Sequence, residues 1–229
     1  MKYIISFSLW GNDQIYTIGA IRNAELCNTV FPGWVCRFYV DYNSVSGNII
    51  KNLVALNCEI VPMSKGDFRA TLWRFLPASD PAVDIMLSRD TDSRLTIREK
   101  LAVDEWLASG KNFHIIRDHP EHMYTILAGM WGCRCNILRD MESLIVNFKL
   151  ENRRQIDQEF LAAVIYPRIR NDCFVHDEFH IFPHEEVHRI QHNRIDYEHI
   201  GGYVDIYEHK SFGHCEALRR WLDIYGKKN

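Results

Sequence analysis

Val83-Asp84-Ile85-Met86-Leu87-Ser88-Arg89-Asp90-Thr91-Asp92-Ser93-Arg94 is the stretch on which the reading of this chain turns. An apolar run of strand length ends in two acids spaced i, i+2 and flanked by arginines. Carboxylates at the end of a buried strand are costly unless positive charge meets them. Two of them on neighbouring turn positions make a hard oxygen site suited to Mg²⁺ or Mn²⁺. The plainer account of the same residues is an Asx turn capping the next helix.

Upstream, Lys2 to Leu9 reads as a first strand and Trp10-Gly11-Asn12-Asp13 as a turn. A helix starts near Asp13 and stops at Phe31-Pro32-Gly33. Val35 to Val40 is the next strand, Asn48 to Leu56 a helix, Cys58 to Val61 a third strand, and Thr71 to Leu76 is helical. Downstream, Ile97 to Ala108 reads as a helix and Phe113 to Arg117 as a strand. This alternation predicts an α/β chain, a mostly parallel sheet flanked by helices in one domain over 1–229. Ligands of such sheets sit at the carboxyl ends of the strands, where Asp90 and Asp92 fall. Helices are predicted at Met141 to Phe148 and Ile156 to Ile165. Asn171 to Glu198, rich in histidine, has no clear period. The Leu218, Trp221, Leu222 and Tyr225 stripe predicts a core-facing last helix rather than a membrane-surface one.

The 229 residues carry a formal charge of -3, which argues against nucleic acid as the main partner. The apolar N-terminus is too short for a signal peptide or a membrane span. Seven irregularly placed cysteines read as reduced thiols of a cytoplasmic protein. Cys133 and Cys135 are too closely spaced for a zinc ribbon and read as packing residues.

Seven segments, taken in order, resemble the GT-A fold glycosyltransferases of bacterial and viral polysaccharide-building enzymes that carry a DxD motif. They are Ile5-Ser6-Phe7-Ser8-Leu9-Trp10-Gly11; Tyr16 with Gly19-Ala20-Ile21-Arg22-Asn23-Ala24; Trp73-Arg74-Phe75-Leu76-Pro77; Leu87 to Arg94; Arg117-Asp118-His119-Pro120; Gly129-Met130-Trp131-Gly132; and Asp157-Gln158-Glu159-Phe160-Leu161. The resemblance spans most of residues 3 to 205. It implies a GT-A-like (Rossmann-like) sheet, a nucleotide-sugar donor with UDP favoured, Mn²⁺ or Mg²⁺, and transfer to a hydroxyl of a glycan acceptor.

On that resemblance Asp92 and Asp90 hold the metal, Asp90 also reaching the donor, and His199, ahead of Gly201 and Gly202, completes the shell. His209 and His214 compete for that role. Ser6, Ser8, Trp10 and Gly11, at the end of the first strand, are the expected nucleotide contacts. Arg74 and Arg89 either bind phosphates or neutralise neighbouring acids. Asp118, Asp157, Gln158 and Glu159 are the expected reaction-centre residues, and helical spacing lets at most two of the last three face one cleft. Asp157-Gln158 resembles the acceptor-side motif of some retaining enzymes, which leans the expectation toward retention.

One motif competes. His184-Glu185-Glu186-Val187-His188, with His192 four residues on, matches the His-Glu-x-x-His pattern of zinc peptidases, in which a helix carries the imidazoles on one face and the glutamate is the base. A nucleotide-sugar binding domain without catalysis is the third reading.

Overall fold

The computed structural model describes residues 1–149 and 151–226. Its first strand, β1 (Tyr3–Leu9), sends side chains alternately to two cores: Ile5, Phe7 and Leu9 to one, Ile4 to the other. That is the two-residue period of a strand buried on both faces. On the first face lie α1 (Gln14–Val30), α2 (Gly47–Ala55) and α3 (Ile97–Ser109), which contribute Ala20, Ala24, Cys27, Leu53, Val103 and Trp106. Asp13 caps α1 by accepting from Ile15 N at 3.0 Å, and Thr96 caps α3 by accepting from Glu99 N at 3.2 Å.

The other face is covered by a 3₁₀ helix, Phe68–Ser79, and by α4 (Met141–Asn147) and α5 (Ile156–Phe160). Leu72, Phe75, Met141, Ile156 and Phe160 pack there against Met86, Ile115 and Trp131. The remaining strands are β2 (Val35–Asp41), β3 (Glu59–Met63), β4 (Ile85–Ser88), β5 (Phe113–Arg117), β6 (Trp131–Arg134), β7 (Cys173–Asp177) and β8 (Val187–His188). The sheet order is β3-β2-β1-β4-β6-β5-β7-β8, with β6 antiparallel to both its neighbours and the other pairings parallel. The α/β class and the mostly parallel sheet follow the sequence reading.

Differences concentrate in the second half. Gly129 to Gly132, one of the resembling segments, runs into β6, and Gly132 is there for packing: a Cβ would lie 2.7 Å from Leu87 Cδ2 and 2.8 Å from the Met86 carbonyl. The helix expected over Ile156 to Ile165 changes to a π-turn at Leu161–Ile165 and continues as the short α6 (Tyr166–Ile169). The unassigned region holds β7 and β8. The last helix, α7 (Phe212–Tyr225), buries Leu218 and sets Trp221 4.6 Å from Phe179, while Tyr225 is exposed.

One buried side chain ties the sheet to the acidic turn. Asn23 of α1 donates to the Ser93 carbonyl at 2.8 Å and the Gly19 carbonyl at 3.0 Å, and accepts from Leu95 N at 3.0 Å. Gly19 permits the close approach, since a Cβ would stand 1.9 Å from the Thr91 carbonyl oxygen. Asn23→Ala orphans the buried Leu95 amide, while the Ser93 carbonyl keeps Arg94 as a donor at 2.9 Å, so it is expected to cost about 1–3 kcal/mol of unfolding free energy in urea titration. A change under about 0.5 kcal/mol would mean water replaces the amide.

Candidate functional site

Beyond β4 the chain turns through Asp90, Thr91, Asp92 and Ser93, closed by Ser93 Oγ donating to the Asp90 carbonyl at 2.9 Å. The Asp90 side chain stays 43% exposed and takes a 2.5 Å ion pair from Arg74. Arg74 is buried and turns its other terminal nitrogen to Asp157 at 2.8 Å, so one guanidinium spans two carboxylates from distant segments. Burial alone would lower the pKa of Arg74, and Asp90, Asp157 and Asp92 more than offset it, so it is raised. Asp92 is half-buried beside this group. Burial first, then the neighbouring Asp90 charge, raise its pKa to about 6, and among the described residues no ion pair reaches it.

The floor beneath Asp90 is the segment 126–130. Gln158 Oε1 accepts from Ala128 N at 3.0 Å, its amide donates to the Ile126 carbonyl, and Ser88 Oγ donates to the Ala128 carbonyl at 2.7 Å. Gly129 is thereby pressed on Asp90, where a Cβ would meet Oδ2 at 1.8 Å. Asp157 and Gln158 are both buried at this site, one holding Arg74 and the other holding the floor.

Other expected residues lie elsewhere. Glu159 points outward and pairs with Arg153, because three consecutive helical positions cannot share one face. Asp118 is wholly buried, bound by Arg98 at 2.9 Å, Arg194 at 2.5 Å and the Ile200 amide at 2.9 Å. It is a structural acid, not a reaction-centre group. Arg89 is likewise internal: it pairs with Glu99 and donates to the Ser88 and Trp131 carbonyls at 2.7 and 3.1 Å, so it cannot meet a phosphate. Ser6 is fully buried on the face that the 3₁₀ helix covers, and Ser8 accepts from Arg74 N at 3.1 Å, which makes it a support for Arg74 rather than a nucleotide contact. Trp10 and Gly11 do form the turn after β1. The Gly11 amide donates to Ser44 Oγ at 2.9 Å, and Ser44 donates to Asp41 at 2.7 Å.

His199 sits among histidines, not beside the acidic pair's carboxylates. Its ring centroid is 4.3 Å from that of His119, 5.6 Å from His122 and 5.8 Å from His214. Burial, then the neighbouring imidazoles, lower its pKa to about 3, and burial lowers His119 and His122 too. His209 is exposed beside Asp205, 3.2 Å away. Among the described residues no three His, Cys, Asp or Glu side chains are grouped to hold a metal ion, so the expected Asp90, Asp92 and His199 shell is not assembled. The two aspartates alone fit a divalent cation: oxygen donors on one turn, with a charge deficit centred on Asp92.

The His-Glu-x-x-His segment is not a helix. His184 has a φ of 72°, Val187 and His188 belong to β8, and Glu185 is committed to Arg117 and to the Tyr166 hydroxyl, which donates at 2.8 Å. The segment therefore does not form a zinc-peptidase site: Glu185, paired and with its side chain buried, is no general base.

Three contributors have roles that the sequence reading did not give them. Asn23 holds the acidic turn. Tyr16 faces Asp92, Asp13 and Asp90, its pKa raised by burial first and then by those charges, with Arg154 opposing. Arg154 lies over the Phe68 ring at 6.0 Å. The proximity of Arg154, in a segment with no period of its own, carries no local signal.

No protein-family model matches the chain, and no curated protein matches it either. Among solved structures it is similar to a glycosyltransferase involved in the glycosylation of the major capsid of PBCV-1, at 16% identity and a TM-score of 0.52, over 77% of this chain and 82% of that one. It has the GT-A fold. Weaker likenesses are a CMP:2-keto-3-deoxy-manno-octonic acid synthetase complexed with CTP (11% identity, 76% and 90% of the two chains, TM-score 0.47) and the Mycobacterium tuberculosis glucosyl-3-phosphoglycerate synthase with Mn²⁺ and UDP-glucose (10%, 76% and 68%, TM-score 0.46).

Two pH effects follow. A carboxyl raised to about 6 keeps its proton in the folded state between roughly pH 4 and 6, so its contribution falls as pH rises through that window. Asp92→Asn is therefore expected to stabilise the metal-free protein at pH 8 by about 1–3 kcal/mol, measured by chemical denaturation; a loss of stability would contradict it. Histidines kept neutral act in the opposite sense. The unfolded chain takes up protons below about pH 6.5 that the fold refuses. Each of His119, His122 and His199 then removes up to about 1.4 kcal/mol per pH unit, and several histidines outweigh one aspartate. Denaturation midpoints are expected to drop from pH 7 to 5.5, and equal midpoints would refute a neutral cluster.

Proposed function

We propose that this chain is a metal-dependent glycosyltransferase, moving a sugar from a nucleotide-sugar donor, UDP favoured, to a hydroxyl of a glycan acceptor. The observation that carries the reading is the Asp92 carboxylate, half-buried and, among the described residues, without an ion pair, at the carboxyl end of β4 and two residues from Asp90, on a GT-A fold. A diphosphate brought to two such carboxylates opposes charge with charge, and Mn²⁺ or Mg²⁺ held by Asp92 and Asp90 would neutralise the departing nucleotide diphosphate.

The protein's own groups supply positioning. Arg74 sets Asp90 on the donor side against Asp157 on the acceptor side, while Gln158 and Ser88 fix the backbone around Ala128 on which a donor sugar would rest. An inverting enzyme needs a free carboxylate to take the acceptor proton. Asp118 and Glu159 are spent on arginines away from this group, and Asp157 is held by Arg74. That supports retention, in which the leaving phosphate oxygen takes the proton on the same face. The seven free cysteines are in keeping with a cytoplasmic setting, and no described helix is long and apolar enough to cross a membrane.

The test is nucleotide diphosphate release from a panel of UDP and GDP sugars, with Mn²⁺ and with chelator. Release is expected only with the cation and is expected to fall more than about 100-fold in Asp92→Asn, with Glu185→Gln far less affected. Donor-induced thermal shifts without turnover on any acceptor would leave a binding domain. Full donor affinity in excess chelator would remove the metal from the reading.

A further inference from the structure

Three thiols meet at the end of the sheet opposite the acidic turn. Cys36 stands near the start of β2, Cys27 on the last turns of α1, and Cys58 just before β3. The β2–β3 pairing is parallel with Arg37 opposite Glu59, so one step back along both strands Cys36 faces Cys58. Neighbouring strands run about 4.8 Å apart, inside the Cα separation of roughly 4.4–6.8 Å that a disulfide needs. Cys27 and Cys58 are the neighbours that, ahead of burial, push the Cys36 thiol well above its usual range, while the Cys36 thiol donates to the Asn23 carbonyl at 3.9 Å and the Cys58 thiol to the Leu56 carbonyl at 4.0 Å. Access separates the three. Cys27 and Cys36 are each 3% exposed, whereas Cys58 is only half-buried.

We propose that Cys58 is a peroxide-reactive site and that Cys36 is its resolving thiol, so that oxidation closes a Cys36–Cys58 disulfide between β2 and the edge strand β3. The chemistry balances. Cys58 sulfur attacks one peroxide oxygen, the O–O bond breaks, and Cys58 becomes a sulfenic acid with release of one water. Cys36 sulfur then attacks Cys58 sulfur, the S–O bond breaks, and a second water leaves with the Cys36 proton. Two thiols lose two electrons and one peroxide gains them. A buried thiol on the facing position of the next strand favours closure over further oxidation, because no solvent-borne reagent has to enter. β3 has one neighbour in the sheet, and the link would clamp that free edge. The site lies away from Asp90 and Asp92, and the proposal stands independently of glycosyl transfer.

The reduced full-length protein is treated with hydrogen peroxide, its thiols are titrated, and peptides are mapped without reduction. Two thiols per chain are expected to disappear, Cys36 and Cys58 peptides to appear linked, and dithiothreitol to restore both. Cys58→Ser is expected to lose thiols at least tenfold more slowly, and Cys36→Ser to carry an unlinked, over-oxidised Cys58. A Cys27–Cys36 link in the wild-type map, or undiminished thiol loss in Cys58→Ser, overturns the proposal. The wild-type map decides the linkage even where a variant fails to fold.

Discussion

The guanidinium of Arg74, buried and shared between Asp90 and Asp157, is the interaction on which the rest of the candidate site depends. It joins the 3₁₀ helix, the turn after β4 and the start of α5, three segments from different parts of the chain. A buried cation of this kind is stable only while its carboxylates stay in place, and they stay close only while it separates them. Ser8 fixes its backbone from β1, so the first strand, which has no charge of its own, sets where the positive charge stands.

Ion pairing also shapes the second half of the chain. Asp118 gathers Arg98 and Arg194, which both reach Glu178, while Arg117 holds Asp177 and Glu185. These contacts fasten the irregular stretch from β7 to His199 where no apolar stripe is available to do so. The same networks consume acids that stand where catalytic carboxylates would. The histidines behave alike: the rings of His119, His122 and His199, held toward the neutral form by burial, pack at tilted or edge-on angles, and His119 Nε2, bonded to the His214 carbonyl at 2.9 Å, seats the N-terminus of α7 beside β5.

The first half was legible because its elements follow simple periods. Strands β1 to β4 are apolar runs, their helices start at capping residues such as Asp13 and Thr96, and small residues on α1 mark its buried face. β6 was not, since a run broken by Gly129 and Gly132 carries little strand signal of its own; only the space left by Leu87 and by the Asp90 carboxylate shows why glycine is needed. The His-Glu-x-x-His match failed for a related reason. The motif presumes a helix, and the pull of Arg117 on Glu185 and the pairing of His188 with His176 make it an edge strand.

By itself, then, the sequence determined the α/β class, the parallel order of the early strands and the placing of Asp90 and Asp92 at a carboxyl edge, because hydrophobic period and strand length are local properties. Tertiary structure alone decided which charged side chains face the crevice and which are spent inside. Arg74 and Arg89, Asp157 and Asp118 are alike as residues. What separates them is the partner that folding brings within about 3 Å, a distance that no spacing along the chain encodes.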